Sequence, residues 1–397
     1  MVPLVWAHRV WQSKENLMDK PKSVTFLQLT FSIGTTIIGV GILAFPRIAV
    51  DYVNTGAPFS ALFAVLLMMC GGLVLTYLGN QYPEYTLFEY SDRLVGKWLT
   101  KFFLVLIGVY FLELTALTAR EFGEVVVTSV LQRTPISVTI FMMVMMAAIA
   151  CRNDVAVFTR IQTLYMPLVY FPALVIVILS LKSGQVVNIK PVLAFFYGQS
   201  VDHVFKSVLV VAALFQNYLI VGLLIPFMYR PNRAFKGIMI GMSTAGALYL
   251  ILIYSTMSVF GIEEMKNLLW PTLELAKTAA LPSFFLERLD PIFLAVWVTA
   301  VFTSIFAAYY IAVQAFSHLL MLNNHRPLSI IALPIIMIMA KQPSNIVVLY
   351  QIVAEVGMFG LLLTLGYPTL LLAVHWIKSG FRPKDASIRR RHSYKRV

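Results

Sequence analysis

The stretch Ile33-Gly34-Thr35-Thr36-Ile37-Ile38-Gly39-Val40-Gly41-Ile42-Leu43-Ala44-Phe45-Pro46 decides how this chain folds. It is apolar throughout, yet the two glycines around Val40 lower helical stability, and Pro46 removes a further backbone donor. In hydrocarbon an unpaired backbone group costs several kcal/mol, so a helix break survives there only where it lines protein or an aqueous cavity. The N–H groups freed at the start of the second half-helix then form a site for a carboxylate at the positive end of a dipole. Close helix packing on small residues is the competing account of the two glycines.

A second interruption favours the break. The sequence Phe215-Gln216-Asn217-Tyr218-Leu219-Ile220-Val221-Gly222-Leu223-Leu224-Ile225-Pro226 places an amide pair inside an apolar run, followed by a glycine and a proline. Gly222 to Pro226 faintly echoes Gly41 to Pro46. Interrupted segments at matching places in two halves point to a binding site of transporter type.

Around these two stretches the chain reads as an all-α integral membrane protein. Of 397 residues, 59% are hydrophobic and 12% charged, with mean hydropathy +0.81. A soluble domain carries roughly a quarter charged residues, so this charge cannot cover a water-facing surface. Ten spans are expected: approximately Phe26–Val50, Pro58–Leu78, Phe102–Thr128, Ile136–Ala150, Leu164–Leu181, Val208–Tyr229, Ile238–Phe260, Ile292–Leu322, Leu328–Ala340 and Ile346–Ile377. The two interrupted segments are the first and sixth, equivalent members of two five-helix halves. The expected organisation is an N-terminal segment over residues 1–23, one transmembrane unit over 24–378 and a basic tail over 379–397. Helices one to five occupy about 24–182, and helices six to ten about 205–378.

The net charge of +13 is a matter of distribution. With the N-terminus inside, most of the Lys and Arg fall on the inner side, and the tail with Arg389-Arg390-Arg391 dominates the asymmetry. Both termini are therefore read as cytoplasmic, and the tail as a topology determinant that touches anionic lipid, not nucleic acid. Near the N-terminus, Trp6 and Trp11 suit either a short interfacial helix or a disordered tail. Short interfacial helices are also expected in the outer loop 261–291, interrupted at Pro271, and on the inner side between Thr86 and Gly96.

Three further spans carry polar side chains. In the third, Tyr110, Glu113, Leu117, Arg120, Glu121 and Glu124 fall on one face. Glu113 lies eleven residues in from Phe102, near the midplane at ~1.5 Å per residue. An ionisable group at that depth suits a proton carrier, a water site or a partner for a ligand ammonium, or else a structural hydrogen bond. Arg120, Glu121 and Glu124 lie farther out, where solvation alone accounts for them. The eighth span presents Thr299, Thr303, Phe306, Tyr310, Gln314 and Ser317 on one face, with Ser304 beside Thr303. Such hydroxyls often bond the carbonyls of the preceding turn. Glu355 in the tenth span is a second embedded acid, and a pairing with Arg47 across an outer vestibule is the expectation for it.

Catalytic and metal signatures are lacking. Cys70 and Cys151 give neither a disulfide framework nor metal spacing, and His8, His203, His318, His325, His375 and His392 show no ligand pattern. No cofactor, metal or enzymatic activity is expected.

The pattern Gln28-Leu29 followed by Ile38 to Pro46, in a ten-span chain of this length, resembles the amino acid–polyamine–organocation transporter superfamily. Within it, the chain looks most like the B subunits of bacterial spore germinant receptors, over roughly Pro21 to Lys378. The resemblance implies a five-plus-five inverted repeat and a small ligand held between helices one, three, six and eight. It implies backbone donors at Gly39, Val40, Gly41 and Ile42, with Phe215, Gln216 and Asn217 opposite and Tyr110 and Glu113 from the third helix. Thr303 and Ser304 match the place where sodium-coupled relatives hold an ion. Some proton-coupled relatives have a fifth-helix lysine near there, whereas this span has Gln162, Thr163 and Tyr165. The implied role is sensing of amino acids or similar nutrients in the spore inner membrane, beside a membrane A subunit and a lipoprotein C subunit. A proton-coupled amino acid symporter is the alternative.

Overall fold

The computed structural model describes residues 22–39, 41–180, 201–278 and 290–380. The expectations for Val40, the N-terminal segment to residue 21, the basic tail beyond residue 380 and the outer loop over 279–289 lie outside the described residues. The architecture is helical, and among the described residues the one β pairing is an isolated parallel bridge between Val24 and Met228.

The first span is two helices. α1 (Phe26–Ile37) opens with a capping box, in which the Thr25 side chain accepts from the Gln28 amide and the Gln28 side chain accepts from the Thr25 amide. It ends at Ile38, whose extended backbone (φ −80°, ψ 96°) cannot continue the helix. α2 (Gly41–Val53) resumes after the glycines and carries Pro46 inside it. There follow α3 (Ala57–Gln81), the short inner α4 (Leu87–Leu94), α5 (Lys97–Ser129), α6 (Ile136–Cys151) and α7 (Val155–Ser180). Thr86 and Glu89 form a second capping box that starts α4 where the sequence placed an inner helix.

The sixth span breaks differently. α8 (Val201–Ala212) tightens into a 3-10 helix over Ala213–Ile220, relaxes into α9 (Val221–Leu224) and tightens again over Ile225–Phe227. The chain stays helical and changes its winding, which leaves backbone bonding poorer through the amide pair. Its end is tied to the start of α1: the Ser23 and Val24 amides donate to Phe227 O, at 2.8 and 2.9 Å, and the Lys22 ammonium donates to Pro226 O.

α10 (Ala234–Asn267) turns sharply at Gly261, whose φ of 73° only glycine adopts cheaply. Beyond it come α11 (Pro271–Thr278), α12 (Asp290–Leu319) and α13 (Arg326–Met339). Pro271 opens α11, consistent with the fixed φ of proline at a first helical position. α14 (Ile346–Leu361) passes through a π-helical turn over Leu362–Gly366 into α15 (Tyr367–Gly380).

Among the described residues, seven stretches are long and apolar enough to cross a membrane: Gly41–Gln81, Lys97–Ser129, Val155–Ser180, Val201–Phe227, Pro231–Asn267, Ile292–Leu319 and Ile346–Ser379. α1, α6 and α13 are shorter apolar helices. Ten spans were expected; length and apolarity support seven among the described residues, and α1, α6 and α13 fall short of that measure. The buried core runs through the middle of the bundle and includes Ile33, Phe45, Phe111, Phe215, Tyr249 and Phe306.

Candidate functional site

Where α1 stops, its last carbonyls lose their intrahelical donors, and side chains from three other elements replace them. Thr36 O accepts from Asn217 Nδ2 at 2.9 Å and from Ser304 Oγ at 3.1 Å. Thr35 O accepts from Thr303 Oγ1 at 3.3 Å, and Ile37 O accepts from the Tyr249 hydroxyl at 3.2 Å. Gln162, from α7, completes the set: it accepts from Thr35 Oγ1 at 2.7 Å and donates to Thr303 O at 3.0 Å. The terminus of α1 is thus held by hydrogen bonds between neutral groups, with the Gln162 amide bridging α1 and α12.

A cavity of about 370 Å³ opens on this break. Its floor is made by Gly39, Gly41, Gln216, Asn217, Ser304 and Gly357. Its walls are largely apolar, with Leu114 and Leu117 from α5, Ala213 and Leu214 from the 3-10 stretch and its approach, and Val353 and Ala354 from α14. It extends along α2 and α14 to Arg47, Asp51, Tyr350 and Gln351. The first N–H groups of α2 have no acceptor within their helix, and Gly41 puts the start of that helix on the cavity surface.

Asn217 is the most informative side chain of the floor. It is 7% exposed and lines the cavity. Because its other bond is to a carbonyl, the amide nitrogen must face Thr36 O, which fixes the oxygen's direction. That oxygen, Oδ1, is buried and has no hydrogen-bond partner. A buried acceptor left unpaired beside the cavity is costly, and only a turn of the Asn217 side chain would present it to the cavity. Its neighbour Gln216 is fully engaged: it accepts from the Tyr110 hydroxyl and donates to Gly357 O at 2.6 Å, tying α5, the 3-10 stretch and α14 together.

Of the residues singled out from sequence, Gly39, Gly41, Gln216, Asn217 and Ser304 meet on the cavity surface. Ile42, Tyr110, Phe215 and Thr303 stand behind it. Tyr110 braces Gln216, Phe215 packs on Tyr249 with ring centroids 5.3 Å apart, and Thr303 bonds α1. Glu113 is 9% exposed, is not part of the lining, and makes no hydrogen bond or ion pair with the described residues. The α5 acid on the cavity wall is Glu121, two turns along the helix from Glu113. It is 4% exposed and accepts from the Tyr350 hydroxyl at 2.9 Å, which in turn accepts from Trp270 Nε1 at 3.0 Å. Glu121 is therefore not a solvated surface acid. The helical wheel had placed it on the stripe of Tyr110 and Leu117, but its depth alone suggested water.

Arg47 does not pair with Glu355. It lies 3.5 Å from Asp51, one turn along its own helix, whereas Glu355 is exposed on the far side of α14. Helix α11 reaches the break directly, through Thr272 Oγ1 donating to Ile42 O at 2.8 Å. Gln162, Tyr249 and Tyr350 are long-range partners that no local pattern marked.

Comparison with known proteins follows the same lines. The family described as spore germination protein matches residues 23–347. Spore germination protein YndE of Bacillus subtilis (strain 168) is 27% identical over 375 residues, covering 91% of this chain and 99% of that protein. Spore germination protein B2 of the same organism is 27% identical over 76% of this chain and 82% of its own length. Spore germination protein GerLB of Bacillus cereus is 25% identical over 88% and 94%. Among solved structures, a Na+-coupled sialic acid symporter in a substrate-bound outward-open state superposes with a TM-score of 0.61. That likeness, at 9% identity, covers 86% of this chain and 78% of the symporter, and it concerns the fold alone.

Proposed function

This chain belongs to the spore germination protein family, a membership carried by the match over residues 23–347, and on that premise we propose that it senses a nutrient amino acid. It is a permease-like membrane protein of germination, and in this reading it holds its ligand at the break between α1 and α2. The ligand carboxylate meets the N–H groups at the start of α2. The ligand ammonium donates to Asn217 Oδ1 once that side chain turns toward the cavity; this buried oxygen, unpaired among the described residues, is the single observation that carries the reading. The apolar walls take a small aliphatic side chain, and the Glu121 carboxyl group lies above the floor. Both termini are cytoplasmic, the membrane is the spore inner membrane, and the chain works beside a membrane A subunit and a lipoprotein C subunit.

The test is ligand-induced thermal stabilisation of the purified protein against a panel of amino acids, repeated with Gly41→Phe. A side chain at Gly41 first meets the flexible end of Leu214, at 3.3 Å, so the variant fills the cavity with little strain elsewhere. One or a few amino acids should raise the melting temperature of the wild type and leave Gly41→Phe unmoved. No response from any amino acid, or an equal response from the variant, sinks the reading. Net uptake of the same amino acid into proteoliposomes would move it from receptor to symporter.

A further inference from the structure

The outward face of α14 carries an ionisable group where none can be left bare. Glu355, Phe359 and Leu362 recur about one turn apart and are exposed, Phe359 at 45% and Leu362 at 66%. The depth of this stripe follows from its neighbours. Gly357 O is bonded by Gln216 at the cavity floor, the level at which α1 breaks and at which Ser304 lies halfway along α12. Glu355 is two residues from Gly357, about 3 Å along the helix. It therefore stands close to the middle of the bilayer, on the side of α14 turned away from the cavity.

Ionisable side chains inside a membrane normally face the bundle interior or pair with one another. Glu355 does neither: no hydrogen bond or ion pair joins it to the described residues, and its surface neighbours Phe359 and Leu362 are apolar. We propose that this stripe is a docking surface for one membrane-spanning helix of a different polypeptide, which brings a Lys or Arg to the depth of Glu355. The charge selects the occupant. A second copy of this chain, inserted in the same orientation and joined by a two-fold axis, sets one Glu355 against the other, and like charges in hydrocarbon repel. A basic side chain neutralises the carboxylate, and Phe359 and Leu362 supply the flanking packing. The inference deepens the reading of the chain as one subunit of a membrane assembly and is independent of its ligand.

Site-specific photo-cross-linking in native membranes tests it, with the probe at Phe359 or Leu362 and a control probe at exposed Ile335 on α13. The expected product from α14 is a cross-link to a membrane-spanning segment of another polypeptide that carries Lys or Arg at matching depth. Glu355→Lys should reduce it at least tenfold, and an acidic replacement of that basic residue should restore it. Because Glu355 is exposed, Glu355→Leu opens no cavity, and it should lower the cross-link while leaving the melting temperature of the isolated protein unchanged. Cross-linking only to lipid, to this chain or to a second copy overturns the proposal, as does a yield indifferent to Glu355→Leu. A heterologous partner captured from Ile335 alone overturns this face but keeps the assembly. No heterologous partner from either position overturns both.

Discussion

Gly39 is where the break and α12 come closest, and its replacement tests whether that contact fixes the site. Gly39 does not occupy the left-handed region, so Gly39→Ala is a purely steric change. The added Cβ would lie 2.5 Å from both Cβ and Oγ of Ser304. Comfortable carbon contacts are about 3.5–4.0 Å, so roughly 1 Å must be recovered by moving α12 or the break. Any such movement strains the Ser304 bond to Thr36 O and the Asn217 bonds beside it. Overpacking of this kind costs about 1–3 kcal/mol, and the same cost felt by the ligand is a loss of affinity of roughly 5- to 150-fold. Denaturation of the purified protein in detergent measures the stability term, and ligand-induced thermal shift measures the other. Ser304→Gly removes both clashing atoms, so the double variant should be more stable than the sum of the two single effects, by about 1–2 kcal/mol. Wild-type stability in Gly39→Ala, or strictly additive behaviour in the cycle, refutes the reasoning.

Three other changes follow from the same geometry. Gln162→Leu removes two buried hydrogen bonds and leaves Thr303 O short of a donor; a loss of about 2–3 kcal/mol should appear in denaturation. Gly360→Ala drives a methyl group into the Tyr110–Gln216 contact, so its melting temperature should fall, and Tyr110→Phe in the same chain should not restore it fully, since the ring itself is struck. Tyr350→Phe breaks the bond to Glu121 and leaves Trp270 Nε1 without its acceptor. It should cost about 1–2 kcal/mol and raise hydrogen exchange in α11, which follows Trp270, while α4 on the inner side stays protected.

Much of the fold was legible because a bilayer makes unusually simple demands. Apolar runs long enough to cross it read directly as helices, and the glycines at 39 and 41 marked a place where only a lined break is tolerable. The capping boxes of Thr25 with Gln28 and of Thr86 with Glu89 came into view only with the structure. The amide pair at Gln216 and Asn217 was visible because polar side chains in hydrocarbon need partners. Its backbone outcome was not, since a change from α to 3-10 winding depends on what the neighbouring helices press against it.

The site depended on more than one helix at a time. A wheel gives each side chain an angle about its own axis, and it put Glu121 with Tyr110 and Leu117, but it cannot say which neighbour fills that angle. Tyr350 lies 229 residues along the chain from Glu121, and Thr303 lies 141 residues from Gln162. Only packing brings such pairs together, so only packing could make Glu121 a buried wall, set Glu113 behind the lining and leave Glu355 facing outward. The sequence by itself determined a membrane-spanning helical chain broken at Gly39 and Gly41, because the hydrocarbon penalty acts on each segment separately. The tertiary structure decided which groups mend that break and that Asn217 Oδ1 is buried beside it without a partner among the described residues, because satisfaction of a buried polar atom is a property of all the helices around it.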